Sequence, residues 1–222
     1  MTTARAKPPT VLLTGFDPFN GASVNPSWLA VQALHGRQVR GRRLVAAQLP
    51  TDCAAALPRL DALLLRYQPE LVVCVGQAGG RAALSLERVA INVVDAPVPD
   101  NAGAQPVDVP VVPAGPAAYF STLPIKAACA GLRQAGLPAE VSQTAGTFVC
   151  NQVFYGLMHS LATWPQLAHT RGGFVHVPWL PEQGSPAMPQ ADVTRGLKLI
   201  VQLSLDQVND SAMCLLSAGA TH

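Results

Sequence analysis

Charge is scarce in this chain. Only 13% of its 222 residues are Asp, Glu, Lys or Arg, the formal net charge is +2, and Lys and Arg form no run. Binding to nucleic acid or to an acidic membrane surface relies on clustered cations, so the sequence predicts neither partner. The mean hydropathy of +0.25 is instead apolar for a monomer. We therefore expect part of the surface to be buried between identical subunits.

Long hydrophobic segments are missing as well. No apolar run approaches the roughly 18 residues of a transmembrane helix, and residues 1–9 lack the hydrophobic region of a secretory signal. No internal repeat or second domain boundary is evident. We therefore expect one cytoplasmic domain over residues 1–222, with residues 1–10 as a flexible N-terminal segment.

Several common catalytic and metal-binding signatures are absent. The five cysteines are odd in number and contain no C-x-x-C pair, which argues against a disulfide framework and a structural zinc site. The chain has no H-E-x-x-H and no G-x-S-x-G motif. The glycine-rich residues 76–80 match neither phosphate-binding pattern and favour a tight turn with close backbone approach. The sequence predicts no metal and no cofactor.

Strand and helix patterns alternate along the chain. Strands are predicted over residues 11–16, 43–49, 71–76, 86–94, 141–145 and 174–177. Helices are predicted from residue 26, over 52–67 and 123–135, from residue 150, and over 193–215. Asn25 caps the first helix with Pro26 at its first position, and Pro58 predicts a kink or a late start in the second. This alternation predicts a three-layer α/β/α sandwich around a mostly parallel twisted sheet, of the kind found in phosphorylases and hydrolases.

A proline-rich stretch interrupts the alternation at residues 95–116. It has almost no periodic apolar pattern, and a loop of this length in a compact domain is usually functional or disordered. Its prolines stiffen it, so we expect an ordered flap beside the active site or a subunit contact. They are Pro97, Pro99, Pro106, Pro110, Pro113 and Pro116.

One cysteine lies where β-type sequence gives way to an amphipathic helix. Cys150 follows the β-prone residues 139–144, and apolar residues recur at helical spacing after it. Unpaired N–H groups and the positive end of the helix dipole favour a thiolate there. The dipole contributes at most about 2 kcal/mol, so a mostly ionised thiol also requires a nearby imidazolium. Cys53, Cys74, Cys129 and Cys214 are predicted as packing residues, with a subunit contact as the alternative for Cys214.

Two further ionisable residues lie in apolar strands. A histidine such as His176 in this setting is most often a hydrogen-bonded core residue, and the alternative is a general base for Cys150. An acid such as Glu87 is most often exposed at a sheet edge or paired with its neighbour, here Arg88. The alternative is that Glu87 orients the histidine, which would complete a set of nucleophile, base and orienting acid.

Four blocks of the sequence carry a resemblance. They are LLTGFDPF with VNPSW at residues 12–19 and 24–28, VGQAGGR with ERVAIN at 75–81 and 87–92, AGTFVCN at 145–151, and RGGFVHVP at 171–178. In order and spacing they resemble the pyroglutamyl-peptidase I (pyrrolidone-carboxylate peptidase) family of cysteine exopeptidases, over residues of about 11 to 182. The resemblance implies a single catalytic domain with a triad of Glu87, Cys150 and His176, no cofactor, and assembly as a homotetramer.

The same resemblance implies a substrate. Pyroglutamate at a peptide's N-terminus is a five-membered lactam without a free α-amine, so its site must bind a small neutral ring. A site that hydrogen-bonds the polar groups of a substrate can reject analogues that lack them by ~10⁴-fold or more. Asn25 and Gln77 are candidate partners for the lactam, although Asn25 also fits a helix cap. The other candidate substrate-binding residues could instead be plain core: Phe16, Phe19, Phe148 and Val149.

The implied reaction is removal of pyroglutamate through a thioacyl-enzyme intermediate. One position departs from the family, which usually has arginine where this chain has Pro97. If that arginine assists at the active site, this enzyme would be slower or would use another basic residue such as Arg81. The alternatives are a catalytically impaired relative that binds pyroglutamyl groups, and a different small-molecule enzyme such as a nucleoside phosphorylase.

Overall fold

The computed structural model describes residues 9–206 and 217–219. Its strands are β1 (Thr10–Phe16), β2 (Gln38–Val39), β3 (Arg42–Leu49), β4 (Leu71–Gln77), β5 (Leu84–Glu87), β6 (Val89–Ile91), β7 (Ala118–Phe120), β8 (Ala139–Ser142) and β9 (Arg171–Val177). Its helices are α1 (Pro26–Gln32), α2 (Ala56–Tyr67), α3 (Ile125–Gln134), α4 (Val149–Thr163) and α5 (Gln190–Leu205), with a short 3₁₀ turn at Pro165–Leu167.

Seven strands form one sheet in the order β2-β3-β1-β4-β9-β5-β8. The pairs β1–β3, β1–β4, β4–β9 and β5–β8 are parallel, whereas β2–β3 and β5–β9 are antiparallel. The central strands β1, β4 and β9 are buried almost throughout, as expected for parallel strands covered on both faces. Strands β6 and β7 form a separate antiparallel pair.

Helices cover both faces of the large sheet. Because successive side chains on a strand point to opposite faces, Val11 and Leu13 of β1 belong to the core cluster that includes residues of α1, α3 and α5. Leu12 belongs to the cluster on the other face, with residues of α2 and α4. The predicted three-layer α/β fold is therefore confirmed. None of the helices in the described part of the chain is long and apolar enough to cross a membrane.

Most predicted elements are present. The predicted strand 141–145 lies instead at Ala139–Ser142 as β8, and β2 and β7 were not predicted. The predicted strand 86–94 divides at Arg88, so that β5 joins the large sheet and β6 pairs with β7. The cause is that the backbone N–H of Arg88 donates to Ser142 while its carbonyl accepts from Ser121, outside the β6–β7 pair. Helix α2 begins late, at Ala56, which is one of the two outcomes predicted from Pro58. This start places Pro58 in the first turn, where no N–H is needed.

Both ends of the chain extend past the described residues. Strand β1 begins at Thr10, which is buried. The predicted final helix is present as α5 up to Leu205, and its predicted continuation to residue 215, with Cys214, lies outside the described residues. Of the remaining cysteines predicted as packing residues, Cys74 and Cys129 are buried and Cys53 is partly buried.

The proline-rich stretch 95–116 is held mainly by hydrogen bonds. Asp100 accepts from the backbone N–H groups of Cys53, Ala102 and Ala104 at 2.8–2.9 Å. Burial alone would raise the pKa of Asp100, but these donors outweigh burial and lower it. The N–H of Asp95 donates to Thr147, just before α4. The stretch therefore contacts the segment that leads to Cys150.

Candidate active site

Strand pairing brings His176 and Glu87 together. Strands β5 and β9 run antiparallel with Ser85 opposite His176, and Glu87 lies two residues further along, on the same face of β5. Long side chains can reach such a diagonal neighbour. The Nδ1 atom of His176 lies 2.7 Å from Oε1 of Glu87, and both residues are buried. A carboxylate at Nδ1 fixes the tautomer and leaves Nε2 for another partner.

The carboxylate of Glu87 has a second partner, Arg81. Nη1 of Arg81 donates to the same Oε1 of Glu87 at 2.8 Å. The other oxygen of Glu87, Oε2, is buried without a hydrogen-bond partner among the described residues. Arg88, the sequence neighbour of Glu87, instead donates to Gln143 and to the carbonyl of Ala218. The prediction that Glu87 pairs with its neighbour is therefore wrong.

Cys150 is the second residue of α4 and lies over the sheet. A β-carbon added at Gly76 would stand 2.7 Å from Sγ of Cys150 and 2.8 Å from Cζ of Phe174, so the thiol packs directly on the glycine backbone. Gly76 of β4 is opposite His176 of β9 in the parallel pairing. The thiol and the imidazole are thus brought to neighbouring positions on one end of the sheet, where open α/β sheets bind ligands.

The electrostatic setting of the thiol is mixed. Cys150 is partly exposed at the cavity described below, yet burial raises the pKa of its thiol to about 12. The charge of Glu87 raises this pKa too, whereas the charge of Arg81 lowers it. The start of a helix therefore does not ionise this thiol by itself. As expected from the sequence, a thiolate at Cys150 needs a proton acceptor that stays beside it as a cation.

Helix α4 begins without a side-chain cap. Phe148 occupies the N-cap position, and no side-chain cap hydrogen bond is made there within the described part of the chain. The buried Asn151 instead ties the start of α4 to the neighbouring segment 91–93. Its side chain accepts from the N–H of Ile91 and donates to the carbonyls of Ile91 and Val93. No role was predicted for Asn151, although an amide beside the candidate nucleophile is itself a signal. The helix start is positioned, and its N–H groups remain available to a ligand.

A cavity of about 670 Å³ opens beside Cys150. The six predicted substrate-binding residues line it: Phe16, Phe19, Asn25, Gln77, Phe148 and Val149. The rings of Phe19 and Phe148 are 5.4 Å apart and inclined at 45°, so they form one aromatic wall. The ring of Phe16 packs against the core residue Phe174 at 6.4 Å.

Asn25 and Gln77, the two polar candidates, differ in which of their hydrogen-bonding groups remain available to a ligand. Asn25 accepts from the N–H and hydroxyl of Ser27 and donates to the carbonyl of Asp17, so it caps α1, as predicted, and holds the preceding loop. Gln77 accepts from the side chain of Gln183 at 3.2 Å. This contact leaves the amide N–H₂ of Gln77 as the end that can donate to a ligand.

Part of the cavity wall was missed by sequence analysis. It comprises Thr51, Gly79, Trp179, Glu182, Gln183 and residues 20–24. A β-carbon at Gly79 would stand 2.3 Å from ring atoms of Trp179, so the close backbone approach predicted for residues 76–80 is present. The indole directly follows the last matching block, but the irregular residues 179–183 carry no periodic signal. In the described ranges, no group of three or more His, Cys, Asp or Glu residues could hold a metal ion.

The fold and these residues define a single-domain α/β protein with a cysteine beside a ligand-sized cavity, and comparison with known proteins specifies the family. The model of the pyroglutamyl peptidase family matches residues 9–207. The chain is 50% identical over 218 residues to the pyrrolidone-carboxylate peptidase of Bacillus cytotoxicus, covering 96% of this chain and 99% of that one. It is 54% identical over 217 residues to the protein of that name in Erwinia tasmaniensis, with the same coverage.

Solved structures agree. The crystal structure of pyroglutamyl peptidase I from Bacillus amyloliquefaciens has a TM-score of 0.87 at 44% identity, over 91% of this chain and 99% of that one. A mutant pyrrolidone carboxyl peptidase from Pyrococcus furiosus has a TM-score of 0.86 at 36% identity, over 90% and 100%. The chain belongs to the pyroglutamyl peptidase family.

Proposed function

We propose that this protein is a cysteine exopeptidase that removes N-terminal pyroglutamate from peptides through a thioacyl-enzyme intermediate. The observation that carries the proposal is the 2.7 Å contact between His176 and Glu87, next to the strand position on which the Cys150 thiol packs. Membership of the family supports the choice of substrate. The proposal involves no cofactor.

The reaction has two stages. Nε2 of His176 takes the proton of Cys150, and Sγ attacks the carbonyl that joins pyroglutamate to the next residue. The oxyanion is stabilised by the uncapped N–H groups at the start of α4. The imidazolium then gives its proton to the departing amine, which leaves a thioester on Cys150. His176 next deprotonates a water molecule that cleaves the thioester, releasing pyroglutamate and the free thiol.

Glu87 acts through His176. Its carboxylate accepts from Nδ1 and therefore holds the ring with Nε2 towards the thiol and stabilises the imidazolium of both stages. The pKa of the Cys150 thiol is high, so the thiol does not ionise alone. Its thiolate forms together with the His176 imidazolium, which Glu87 stabilises.

Recognition of the lactam rests on the cavity. The aromatic wall of Phe19 and Phe148 offers faces for a flat neutral ring, and the N–H₂ of Gln77 can donate to the ring carbonyl. A prolyl ring lacks that carbonyl and brings a charged nitrogen, so it would leave buried polar groups unpaired. Free N-terminal glutamate is longer, flexible and charged. The site is therefore expected to select the lactam.

One assay with three substrates tests the proposal. The purified protein is incubated separately with a pyroglutamyl arylamide, a prolyl arylamide, and a nucleoside plus phosphate. Turnover of the first alone is expected. Comparable prolyl turnover, within about tenfold, would replace the lactam pocket by a generic imino-peptidase site. Phosphorolysis of the nucleoside would move the protein to another class of enzyme.

The same assay addresses Pro97, which replaces the arginine usual in the family. Pro97 is exposed, and it lies two residues after Asp95, whose N–H bonds Thr147. Binding of a pyroglutamyl peptide without turnover would identify an impaired relative. We expect turnover, because His176 contacts Glu87 and the Cys150 thiol packs on Gly76, which is the strand partner of His176.

We also propose that the chain acts in the cytoplasm, as the sequence predicts, and as a homotetramer, as the family resemblance implies. Exposed apolar side chains support burial between copies, since Phe120 is 69% and Val107 64% exposed. Light scattering of the purified protein tests the assembly, and a monomer at micromolar concentration would contradict it.

A further inference from the structure

Arg81 is not used in the proposed mechanism, yet it contacts the centre of the site. Its Nη1 donates at 2.8 Å to Oε1 of Glu87, and the same oxygen lies 2.7 Å from Nδ1 of His176. A guanidinium and an imidazole thus converge on one carboxylate oxygen. The side chain of Glu87 is fully buried, whereas that of Arg81 keeps 26% of its surface exposed.

Arg81 is itself held by the segment that leads to the nucleophile. Its Nη2 donates to the carbonyl of Thr144 at 3.2 Å, and its Nη1 approaches the hydroxyl of Ser142 at 3.4 Å. Ser142 is the last residue of β8, and Thr144 follows it on the way to α4, the helix that carries Cys150. One side chain therefore links the turn after β4, the end of β5 and the approach to α4.

Arg81 does not contribute to the cavity wall. The residues that line the cavity include Gln77 and Gly79 from the same turn, but not Arg81. A side chain outside the cavity does not contact bound substrate directly. Any effect of Arg81 on the reaction must therefore pass through Glu87, His176 or Cys150.

We propose that Arg81 is a positioning residue, which compensates the buried charge of Glu87 and fixes its carboxylate on His176. The inference rests on the proposed function. A buried carboxylate is costly unless an opposite charge and hydrogen bonds compensate it, and Glu87 Oε2 has no hydrogen-bond partner among the described residues, so compensation falls on Oε1. In addition, the charge of Arg81 lowers the pKa of Cys150, against the effects of burial and of Glu87.

The test compares three variants with the unaltered enzyme: Arg81→Met, Arg81→Lys and the control Arg88→Met. Arg88 is a matched control because it is an arginine adjacent to Glu87 whose side chain bonds Gln143 and Ala218 instead. The kcat and KM for a pyroglutamyl arylamide are measured across the acid and alkaline limbs of the pH profile. A second readout, independent of substrate, is the pH dependence of Cys150 alkylation by iodoacetamide.

Arg81→Met is expected to lower kcat by ~10-fold or more while KM stays within about twofold. Removing the cation raises the pKa of Cys150 further. As the pH is lowered, Arg81→Met should therefore lose activity and alkylation at a higher pH than the unaltered enzyme does. A shift of the acid limbs by about one pH unit is expected. Arg81→Lys should recover part of kcat, and Arg88→Met should match the unaltered enzyme.

Thermal melting separates positioning from loss of fold. If Arg81→Met is unstable because Glu87 is left uncompensated, the double variant Arg81→Met/Glu87→Gln removes both charges and should recover the melting temperature, but not kcat. A change in KM alone would overturn the inference, as would unchanged kcat and acid limbs in Arg81→Met. If the unaltered enzyme did not cleave the arylamide, the proposed function would fail, whereas the alkylation profile would still decide the role of Arg81.

Discussion

Glu87 and His176 lie inside the large sheet, whereas the residues that line the cavity lie mostly on loops. In the sheet, backbone pairing of β5 with β9 sets the side-chain positions, and the ionic contacts are 2.7 and 2.8 Å. Around the cavity, the polar side chain of Asn25 bonds its own loop and helix. The sheet region is thus fixed by strand register, whereas the cavity region depends on hydrogen bonds within its own loops.

This difference has a functional meaning. Proton transfer requires distances held within a fraction of an ångström, and strands and helix starts provide that rigidity. Substrate recognition tolerates more variation, and loops on a rigid scaffold commonly carry it. Substitutions in the sheet region should therefore lower kcat, whereas substitutions in the loop region should change KM and substrate preference.

The largest effect is expected at Cys150. Cys150→Ala removes the nucleophile and should lower kcat by ~10⁴-fold or more without loss of fold. Thiol alkylation followed by peptide mapping should show that Cys150 reacts faster near neutral pH than Cys53, whose pKa is also raised to about 12, by burial and by Asp100. Activity that survived in Cys150→Ala would contradict the proposed mechanism.

His176 and Glu87 should rank below Cys150 and differ from each other. His176→Ala removes the general base and should cost ~10³-fold or more in kcat. Glu87→Gln keeps a hydrogen-bond acceptor near Nδ1, and its loss should be smaller than that of His176→Ala by roughly 10- to 100-fold. Steady-state kinetics on both variants decide the order. Equal or reversed losses would mean that Glu87 does more than orient the histidine.

Gly76→Ala tests whether the sheet positions the nucleophile. The new β-carbon would overlap with Sγ of Cys150 and with the ring of Phe174, so the thiol must move. A misplacement of about 1 Å can cost ~10²-fold in rate, and we expect a loss of that order in kcat. Gly172→Ala, at the start of β9, is the matched control, since its β-carbon would stand 2.9 and 3.2 Å from the far ends of Leu161 and Leu157 and 3.3 Å from the carbonyl oxygen of Val72. Similar losses in both variants would indicate general destabilisation instead.

The sheet region was also the easier one to predict. Strands β1, β4 and β9 are buried apolar runs, and the start of α4 is marked by the change from alternating to helical spacing, so each was predicted within a few residues. Their spatial arrangement was not predictable from local pattern. The Glu87–His176 contact requires β5 to lie next to β9, 89 residues later in the sequence and antiparallel to it.

The errors have physical causes that are not local either. Residues 86–94 form one apolar run, but the backbone partners of Arg88 come from residues 121 and 142, and these divide the strand. Because successive strand residues point to opposite faces, the side chain of Arg88 turns away from Glu87, and that carboxylate pairs with Arg81 instead. At the cavity, the six expected positions came from resemblance to a family, whereas Trp179 and Glu182 lie in an irregular turn without any pattern.

The smallest expected effect concerns Glu182. Apart from Cys150, it is the only ionisable residue among the described ones that line the cavity, and it is exposed. A cavity of about 670 Å³ is large enough for a drug-sized ligand, so it has room for residues beyond the lactam ring. An acidic side chain there should favour peptides with lysine or arginine after pyroglutamate over peptides with glutamate.

An exposed ion pair contributes about 0.2–1 kcal/mol, so the preference in kcat/KM should be about 1.4- to 5-fold. Glu182→Gln should remove it, and high salt should weaken it in the unaltered enzyme, because exposed charges are screened. Asp192→Asn, at the first turn of α5 and outside the cavity, makes the same change in net charge and should keep the preference. Equal losses in the two variants would show that net charge, and not the loop region of the site, sets the preference for the next residue.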